Sequence, residues 1–183
     1  MDFLKGHLLI ASPHLLDPNF VRTVVLLIHH SEEGAFGVVL NRPAENTVRE
    51  LWEKVGEGTC TCQEQVHVGG PVSGPLMAVH SDASLSEMEV VPGVYFSAQR
   101  EHLTHLLQQT APTFRIFVGH AGWARGQLES ELRQGAWLNT PATAEWVFSD
   151  SLDLWRRVTQ HIGESFFASV LKIKHKPADP GLN

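Results

Sequence analysis

Residues 23–43 read TVVLLIHHSEEGAFGVVLNRP. Two runs rich in Val, Leu and Ile, at residues 23–30 and 35–40, are typical of β-strands. The residues between them, 31–34, have the length of a hairpin loop. The stretch therefore predicts a β-hairpin that runs into the polar sequence Asn41-Arg42-Pro43.

Helical periodicity begins after the hairpin. A helix is predicted over residues 47–55, because apolar side chains recur there at positions i, i+3, i+4 and i+7. Thr47 and Glu50 form a capping box at its start. Three more helices are predicted: residues 97–109 capped by Ser97, residues 127–134 ended by Gly135, and a last one that begins at Ser149 or Asp150 and carries Leu152, Trp155, Val158 and Ile162.

Short apolar runs predict further strands at residues 8–11, 66–68, 76–80, 94–97 and 114–118, with an edge strand at 145–148. Hairpins and helices are mixed without a repeating strand–helix–strand order, so an α+β fold is favoured over a doubly wound parallel sheet. The 183 residues, 43% of them hydrophobic, suffice for a single domain. The longest aliphatic run, residues 24–28, is too short to cross a membrane.

The charge is unevenly distributed along the chain. The net charge is −6, which opposes a general affinity for nucleic acid phosphates, and no helix-turn-helix pattern is present. Residues 1–154 hold 9 basic and 18 acidic side chains, whereas residues 155–183 hold 5 basic and 2 acidic ones. We therefore expect no direct DNA binding by the acidic body, and we expect any contact with an anionic surface in the basic C-terminal stretch.

Cysteine and histidine spacing predicts neither a disulfide framework nor a metal site. Cys60 and Cys62 are the only cysteines, and with His67 they do not make a recognised zinc ligand set. His102 and His105 lie three residues apart on a predicted helix but lack a third ligand. Free thiols and an N-terminus without a signal-peptide pattern predict a cytoplasmic protein that needs no metal or cofactor.

The candidate binding residues lie in two segments. Residues 119–126 form a glycine-rich loop between a predicted strand and a helix N-terminus, an arrangement that can offer N–H groups to an anion, with Arg125 adding charge. Acidic residues in the first helical turns oppose this, and a turn that holds Trp123 in the core is the favoured interpretation. Arg22 and Arg42 could bind a carboxylate or phosphate, although a structural ion pair is favoured.

Together, four segments resemble the YqgE/AlgH family of bacterial proteins. They are residues 6–13 with 17–20, residues 34–43, residues 68–72, and residues 119–123 with 126–132, or GHLLIASP with DPNF, GAFGVVLNRP, VGGPV, and GHAGW with GQLESEL. The resemblance covers residues 6–162, so residues 1–162 are expected to form the family domain and residues 163–183 a partly basic C-terminal extension.

The resemblance implies a fold and leaves the function open. It implies a single α+β domain with a bifurcated, mostly antiparallel sheet bent into a pseudo-barrel with flanking helices. The family is largely uncharacterised, and its members are described as transcriptional regulators from a genetic association with alginate production. It implies no cofactor and no catalytic residue.

Two functions are compatible with these observations. The first is a non-enzymatic binding or regulatory module that acts through a protein partner or a small ligand. The alternative is a small-molecule hydrolase or other enzyme whose site lies where residues 41–43 and 119–126 meet, with Arg42, His120 and Glu129 in one cleft. Binding residues are predicted at Asn41, Arg42, His120, Trp123, Arg125, Gln127 and Glu129.

Overall fold

The computed structural model describes residues 3–55, 60, 62–109, 113–149 and 152–171. The strands are β1 His7–Ala11, β2 Val24–Ser31, β3 Gly34–Val39, β4 Pro43–Thr47, β5 Gln65–Val68, β6 Met77–His80, β7 Met88–Val91, β8 Val94–Ser97, β9 Phe114–Val118, β10 Ala121–Ala124 and β11 Trp137–Pro141. The helices are α1 Val48–Lys54, α2 Arg100–Gln108, α3 Gln127–Arg133, α4 Ala144–Phe148 and α5 Leu154–Leu171, with one 3-10 turn at Ala83–Leu85.

Five strands form an antiparallel sheet in the order β10-β3-β2-β1-β11. The predicted hairpin is confirmed as β2 and β3, which pair from Val25 opposite Val39 to Ser31 opposite Gly34. The first and last strands of the chain also meet in this sheet, because β1 pairs with β11 along its whole length.

Six strands form a second sheet in the order β4-β5-β9-β6-β8-β7. Strands β5 and β9 are parallel, and all the other neighbours are antiparallel. The prediction of a single α+β domain is confirmed, and the two sheets do not close into a barrel.

Alternation along β2 explains how the two sheets are layered. Val24, Leu26 and Ile28 face a core shared with the second sheet and with α4 and α5. Val25 and Leu27 point to the other face, which α3 covers. A third apolar cluster lies between the second sheet and helices α1 and α2. Each fully buried aliphatic side chain contributes about 1.5–3 kcal/mol, so a strand buried on both faces anchors the domain.

The two sheets join at a backbone crossing built from glycines. Gly69 N–H donates to the carbonyl of Val118 (2.8 Å), and the Gly69 carbonyl accepts from Val39 N–H of the first sheet (2.8 Å). Beyond it, Val72 and His120 exchange both backbone hydrogen bonds, at 3.0 and 2.9 Å. The chain thus leaves the second sheet at β9, passes this crossing and enters the first sheet as β10.

Only glycine fits the crossing. A Cβ on Gly70, whose φ is +153°, would lie 2.2 Å from the carbonyl carbon of His120. A Cβ on Gly119, with φ +70°, would lie 2.6 Å from the Gly70 carbonyl oxygen. Real Cβ atoms do not approach backbone so closely, and these φ values disfavour residues with a side chain.

Of two predicted helix starts, one is confirmed and one is wrong. The capping box at Thr47 and Glu50 is confirmed, with both reciprocal bonds present. The prediction that Ser97 caps the next helix is wrong, because Ser97 is a buried end residue of β8 and α2 begins only at Arg100, after Gln99. Instead of capping a helix, the Ser97 hydroxyl donates a hydrogen bond to the Leu85 carbonyl.

Other predicted elements also differ in the structure. Residues 145–148 belong to helix α4, because the Thr143 side chain accepts from Trp146 N–H and caps a helical turn. The predicted loop at 119–126 contains strand β10. Three further strands were not predicted, namely β4, β7 and β11. The last helix starts later than expected, with Leu152 83% exposed and Leu154 fully buried, while Asp150 lies outside the described residues.

Within the part of the chain that the structure describes, no helix is long and apolar enough to span a membrane. Both Cys60, which is buried, and the half-buried Cys62 are free thiols, as predicted.

Because of the crossing, glycine-to-alanine substitutions at different positions should lower the unfolding free energy by very different amounts. Gly70→Ala is expected to lose more than about 3 kcal/mol of unfolding free energy, because its Cβ meets backbone that cannot yield. Gly93→Ala is the matched control: Gly93 also has a positive φ (+78°), but nothing lies within 4 Å of its Cβ position. It should lose only about 1–2 kcal/mol. Urea unfolding measures both, and equal losses would contradict the role given to the crossing.

Candidate functional site

Residues 12–23, here called the motif loop, connect β1 to β2 and carry the sequence DPNF at 17–20. The Asp17 carbonyl accepts from Phe20 N–H (2.9 Å) and Val21 N–H (2.8 Å), and its carboxylate accepts from Asn19 N–H (2.8 Å). The Thr23 hydroxyl donates to the Phe20 carbonyl (2.7 Å). These local bonds fix the shape of an exposed loop before any ligand binds.

Asn41 and Arg42 hold the motif loop from the end of the neighbouring strand. The Asn41 side chain accepts from Val24 N–H (2.8 Å) and donates to the Arg22 carbonyl (2.9 Å). The Arg42 guanidinium donates to the Pro18 carbonyl (2.9 Å). The ion pair expected for Arg42 is therefore replaced by a bond to backbone.

Arg22 adopts an unusual backbone conformation at the end of the motif loop. Its φ is +54°, and among the described residues it alone combines a positive φ with a side chain. Its guanidinium carbon lies 5.8 Å from the ring centroid of Trp155, whose indole N–H donates to the Ala11 carbonyl (2.8 Å). In the described part of the chain no carboxylate forms an ion pair with Arg22 or Arg42.

Apolar side chains are exposed on the same loop. Leu16 is 84% exposed and Val21 is 41% exposed, although the loop backbone is held by hydrogen bonds. A stiff loop that presents leucine and valine to solvent, beside the exposed Arg22, has the composition of a contact surface.

Phe20 fixes the middle of the motif loop in an aromatic cluster. Its ring stacks on Trp123 at 6.1 Å and meets Trp137 edge-on at 5.4 Å. Both indoles are buried, and their centroids are 5.9 Å apart. The rings fill the space between them, so this cluster supports the loop and leaves no room for a ligand between the rings.

Glu131 links this aromatic cluster to α3. One oxygen of its carboxylate accepts from the indole N–H of Trp123 (2.9 Å) and of Trp137 (2.8 Å). The other accepts from the Gln127 side chain (2.9 Å), whose own oxygen accepts from Ala124 N–H (3.0 Å). In the sequence, Glu131 is one of the acidic residues in the first helical turns, and its position between Trp123 and Trp137 is the signal that could have indicated this role.

Glu129 lies in a different environment, on the same helix. Its carboxylate is 2.9 Å from His30 Nε2, while His30 Nδ1 accepts from Leu4 N–H (2.9 Å). His30 Nε2 therefore carries the proton and donates to Glu129. A bond from the backbone of Glu129 itself, and then the His30 bond, lower the pKa of this carboxyl. Arg133, four residues further along the same helix, lowers this pKa only by a weaker charge effect.

His120 and Arg125 are separate from both groups. The His120 ring lies at the crossing, 5.2 Å from the Phe36 ring, and its Nδ1 has no hydrogen-bond partner among the described residues. Arg125 is exposed between β10 and α3. Residues 119–126 were predicted to be a loop, but residues 121–124 pair with β3 as a strand.

The structure therefore brings some predicted residues together and keeps others apart. Asn41 and Arg42 meet at the motif loop, and Trp123 and Gln127 are joined through Glu131. Arg42, His120 and Glu129 have different partners, which are the Pro18 carbonyl, the Phe36 ring and the His30 side chain. The end of β5 lies between Arg42 and Val118, since Val68 N–H donates to the Arg42 carbonyl while Gly69 N–H donates to the Val118 carbonyl.

Two buried histidines affect stability. His67 is 8% exposed, and burial together with the nearby charge of Arg115 lowers its pKa to about 4. Burial also lowers the pKa of the fully buried His80, which contacts the Ser97 hydroxyl at 3.0 Å. The described residues contain no group of three His, Cys, Asp or Glu side chains that could hold a metal ion.

The fold and the motif loop together define the class of this protein. It is a single α+β domain of two facing sheets, in which polar side chains hold the exposed motif loop in place. A family model described as AlgH-like matches residues 8–166, and the chain belongs to this family. It is 37% identical to a UPF0301 protein of Chlorobaculum tepidum over 190 residues, covering 100% of this chain and 97% of that one.

Another relative and two solved structures support the same family. A UPF0301 protein of Myxococcus xanthus is 40% identical over 168 residues, covering 89% of this chain and 93% of that one. The solution structure of AlgH from Pseudomonas aeruginosa superposes with a TM-score of 0.74 at 32% identity, covering 96% of both chains. A crystal structure from Corynebacterium diphtheriae gives 0.72 at 26% identity, covering 88% of both. The predicted family is thereby confirmed.

Removing the Glu131 carboxylate should destabilise the domain. Glu131→Ala leaves two buried indole N–H groups without an acceptor, so we expect a loss of about 2–4 kcal/mol in unfolding free energy. Glu32→Ala, in the exposed hairpin loop, should change it by less than about 0.5 kcal/mol. Urea unfolding followed by tryptophan fluorescence measures both, and a neutral Glu131→Ala would refute the linking role.

Buried His67 should make the fold sensitive to acid. The unfolded chain binds a proton at this residue at about pH 6.5 and the folded chain only at about 4, so stability is lost as the pH falls between these values. The loss should reach about 2–3 kcal/mol for His67 alone. His67→Gln should flatten the pH dependence of the unfolding free energy, and exposed His14→Gln should not. Equal slopes in both variants would contradict this assignment.

Proposed function

We propose that the protein is a non-enzymatic binding module with a regulatory role, and that the motif loop is its contact surface. The observation that carries the proposal is Arg22, which Asn41 holds at a φ of +54° while its guanidinium lies over Trp155. A strained residue persists only where its surroundings enforce it, and such residues cluster at binding sites.

The chemistry of the loop selects an acidic segment of a protein partner. A guanidinium presents several N–H donors in a planar fork that matches a carboxylate, and Trp155 keeps that plane oriented. Leu16 and Val21 add exposed apolar surface beside the charge. Since the chain has a net charge of −6, the exposed guanidinium of Arg22 beside this apolar surface would orient an acidic partner that the rest of the surface repels.

The hydrogen bonds made by the polar motif residues support this role. Asn41, Arg42 and Glu131 form hydrogen bonds inside the domain, and all three support the motif loop directly or through the aromatic cluster. A preformed loop reduces the entropy that binding must overcome. We extend the proposal to a cytoplasmic regulator that acts through protein contacts, without direct DNA binding; the two free thiols are consistent with that compartment.

Arg22→Gly separates binding from folding. Glycine tolerates a positive φ, so the unfolding free energy should be retained or should rise by up to about 1 kcal/mol. The probe is a labelled synthetic peptide of alternating Glu and Leu, with a Lys and Leu peptide as its counterpart. Anisotropy titration should show that the acidic peptide binds the parent chain, and that Arg22→Gly weakens it at least about tenfold.

Arg125→Gly is the matched control, because it removes an exposed arginine from a turn away from the motif loop. It should leave peptide affinity unchanged. Backbone NMR of the titration should place the shifted resonances at residues 12–23 and at Trp155. Equal affinity in Arg22→Gly, or shifts on another face, would overturn the proposal, and equally tight binding of free glutamate would assign the loop to a small ligand.

A further inference from the structure

Residues 3–5, here called the strap, lie against the end of β2. They are attached at Gly6, whose N–H donates to a backbone carbonyl of β2 (2.9 Å) and whose carbonyl accepts from Ala142 N–H (2.9 Å). The strap itself is held by Leu4 N–H, which donates to Nδ1 of His30 (2.9 Å). The Leu4 side chain packs against the apolar cluster that α3 covers. An imidazole nitrogen is thus the hydrogen-bond acceptor that ties the strap to the first sheet.

Two neighbours fix the tautomer of the His30 ring. The side chain is 3% exposed, and the Phe3 ring meets it edge-on with the centroids 5.4 Å apart. Nδ1 must be unprotonated in order to accept from Leu4 N–H, so Nε2 carries the proton that is donated to Glu129 (2.9 Å). A second proton can enter only at Nδ1. Because an Nδ1–H group cannot accept a hydrogen bond, protonation of the ring and the Leu4 bond exclude each other.

The charge in direct contact with the ring favours the second proton. Glu129 of α3 is the contacting group, and the hydrogen bond from its own backbone and then the one from the imidazole lower its pKa, so it stays ionised. Arg133 of α3 acts on that carboxylate only by a weaker charge effect. Lys5 of the strap and His29 of β2 are exposed, and β3 places the uncharged Ala35 opposite the ring. The carboxylate therefore attracts a proton to the ring, and the strap amide opposes it.

We propose that His30 is a pH-sensitive switch that holds the strap when the ring is neutral and releases it when Nδ1 takes up a proton from water. The ring keeps its Nε2 bond to Glu129, which becomes an ion pair, while the Leu4 bond is lost and the Leu4 side chain leaves the apolar cluster. By linkage, any change that lifts the strap favours protonation of the ring by the same factor. His30 lies near the end of β2 that is remote from the motif loop, so this inference does not depend on the proposed function.

NMR of the full chain between about pH 8 and about pH 5, the range in which histidines ordinarily change charge, tests the proposal. At the upper end, the imidazole ¹⁵N shifts of His30 should show a protonated Nε2 and an unprotonated Nδ1. As the ring takes up its second proton, the hydrogen-exchange protection of the Leu4 amide should fall at least about tenfold along the same curve. The Gly6 amide and the amides of β2 should stay protected, which separates release of the strap from unfolding.

Three variants separate the parts of the switch. Glu129→Gln keeps an acceptor for Nε2–H but removes the charge, so release should require a lower pH. His30→Gln takes up no proton in this range, so protection of the Leu4 amide should become independent of pH. His29→Gln is the matched control, because it removes an exposed histidine from the same strand, and it should leave release unchanged.

Four results would overturn the proposal. They are a ring that carries its proton on Nδ1 at about pH 8, a Leu4 amide that stays protected after His30 has taken up its second proton, equal pH responses in Glu129→Gln and the parent chain, and loss of Leu4 protection only together with that of the β2 amides.

Discussion

The architecture depends on one close backbone approach, between Gly70 and His120. There the chain passes from the second sheet into the first, and the backbone atoms are so near that no Cβ fits on Gly70 or Gly119. Hydrogen bonds on both sides of this point join β3, β5 and β9. Because both sheets use the same few peptide groups, backbone contacts as well as side-chain packing hold the two sheets in position around the core between them.

The polar residues of the family motifs act mostly on backbone. Asn41 bonds to the peptide groups on both sides of Thr23, Arg42 bonds to the Pro18 carbonyl, and Glu131 accepts from two indoles that contact Phe20. A loop without regular secondary structure is held in this way at three points. The rigidity of the motif loop therefore comes from residues distant in sequence, and this leaves Arg22, Leu16 and Val21 available at the surface.

The sequence predicts those parts of the structure that depend on local patterns. The β2–β3 hairpin and the capping box of α1 follow from apolar periodicity and short-range hydrogen bonds. Strand β10 was not predicted, since its four residues are strand-forming only beside β3. For the site, Asn41 and Arg42 were found because they follow a strand, whereas Glu131 and the conformation of Arg22 depend on partners that only the folded chain brings near.

Pairing of β1 with β11 sets the order in which the domain can form. His7 lies opposite Pro141, so an edge of the first sheet waits for a partner synthesised 134 positions later. During translation β1 can pair with β2, but its other side stays open until most of the chain has left the ribosome. The free edge of β1 therefore stays unpaired until residues 137–141 are available, and an unpaired strand edge of this kind can pair with other chains.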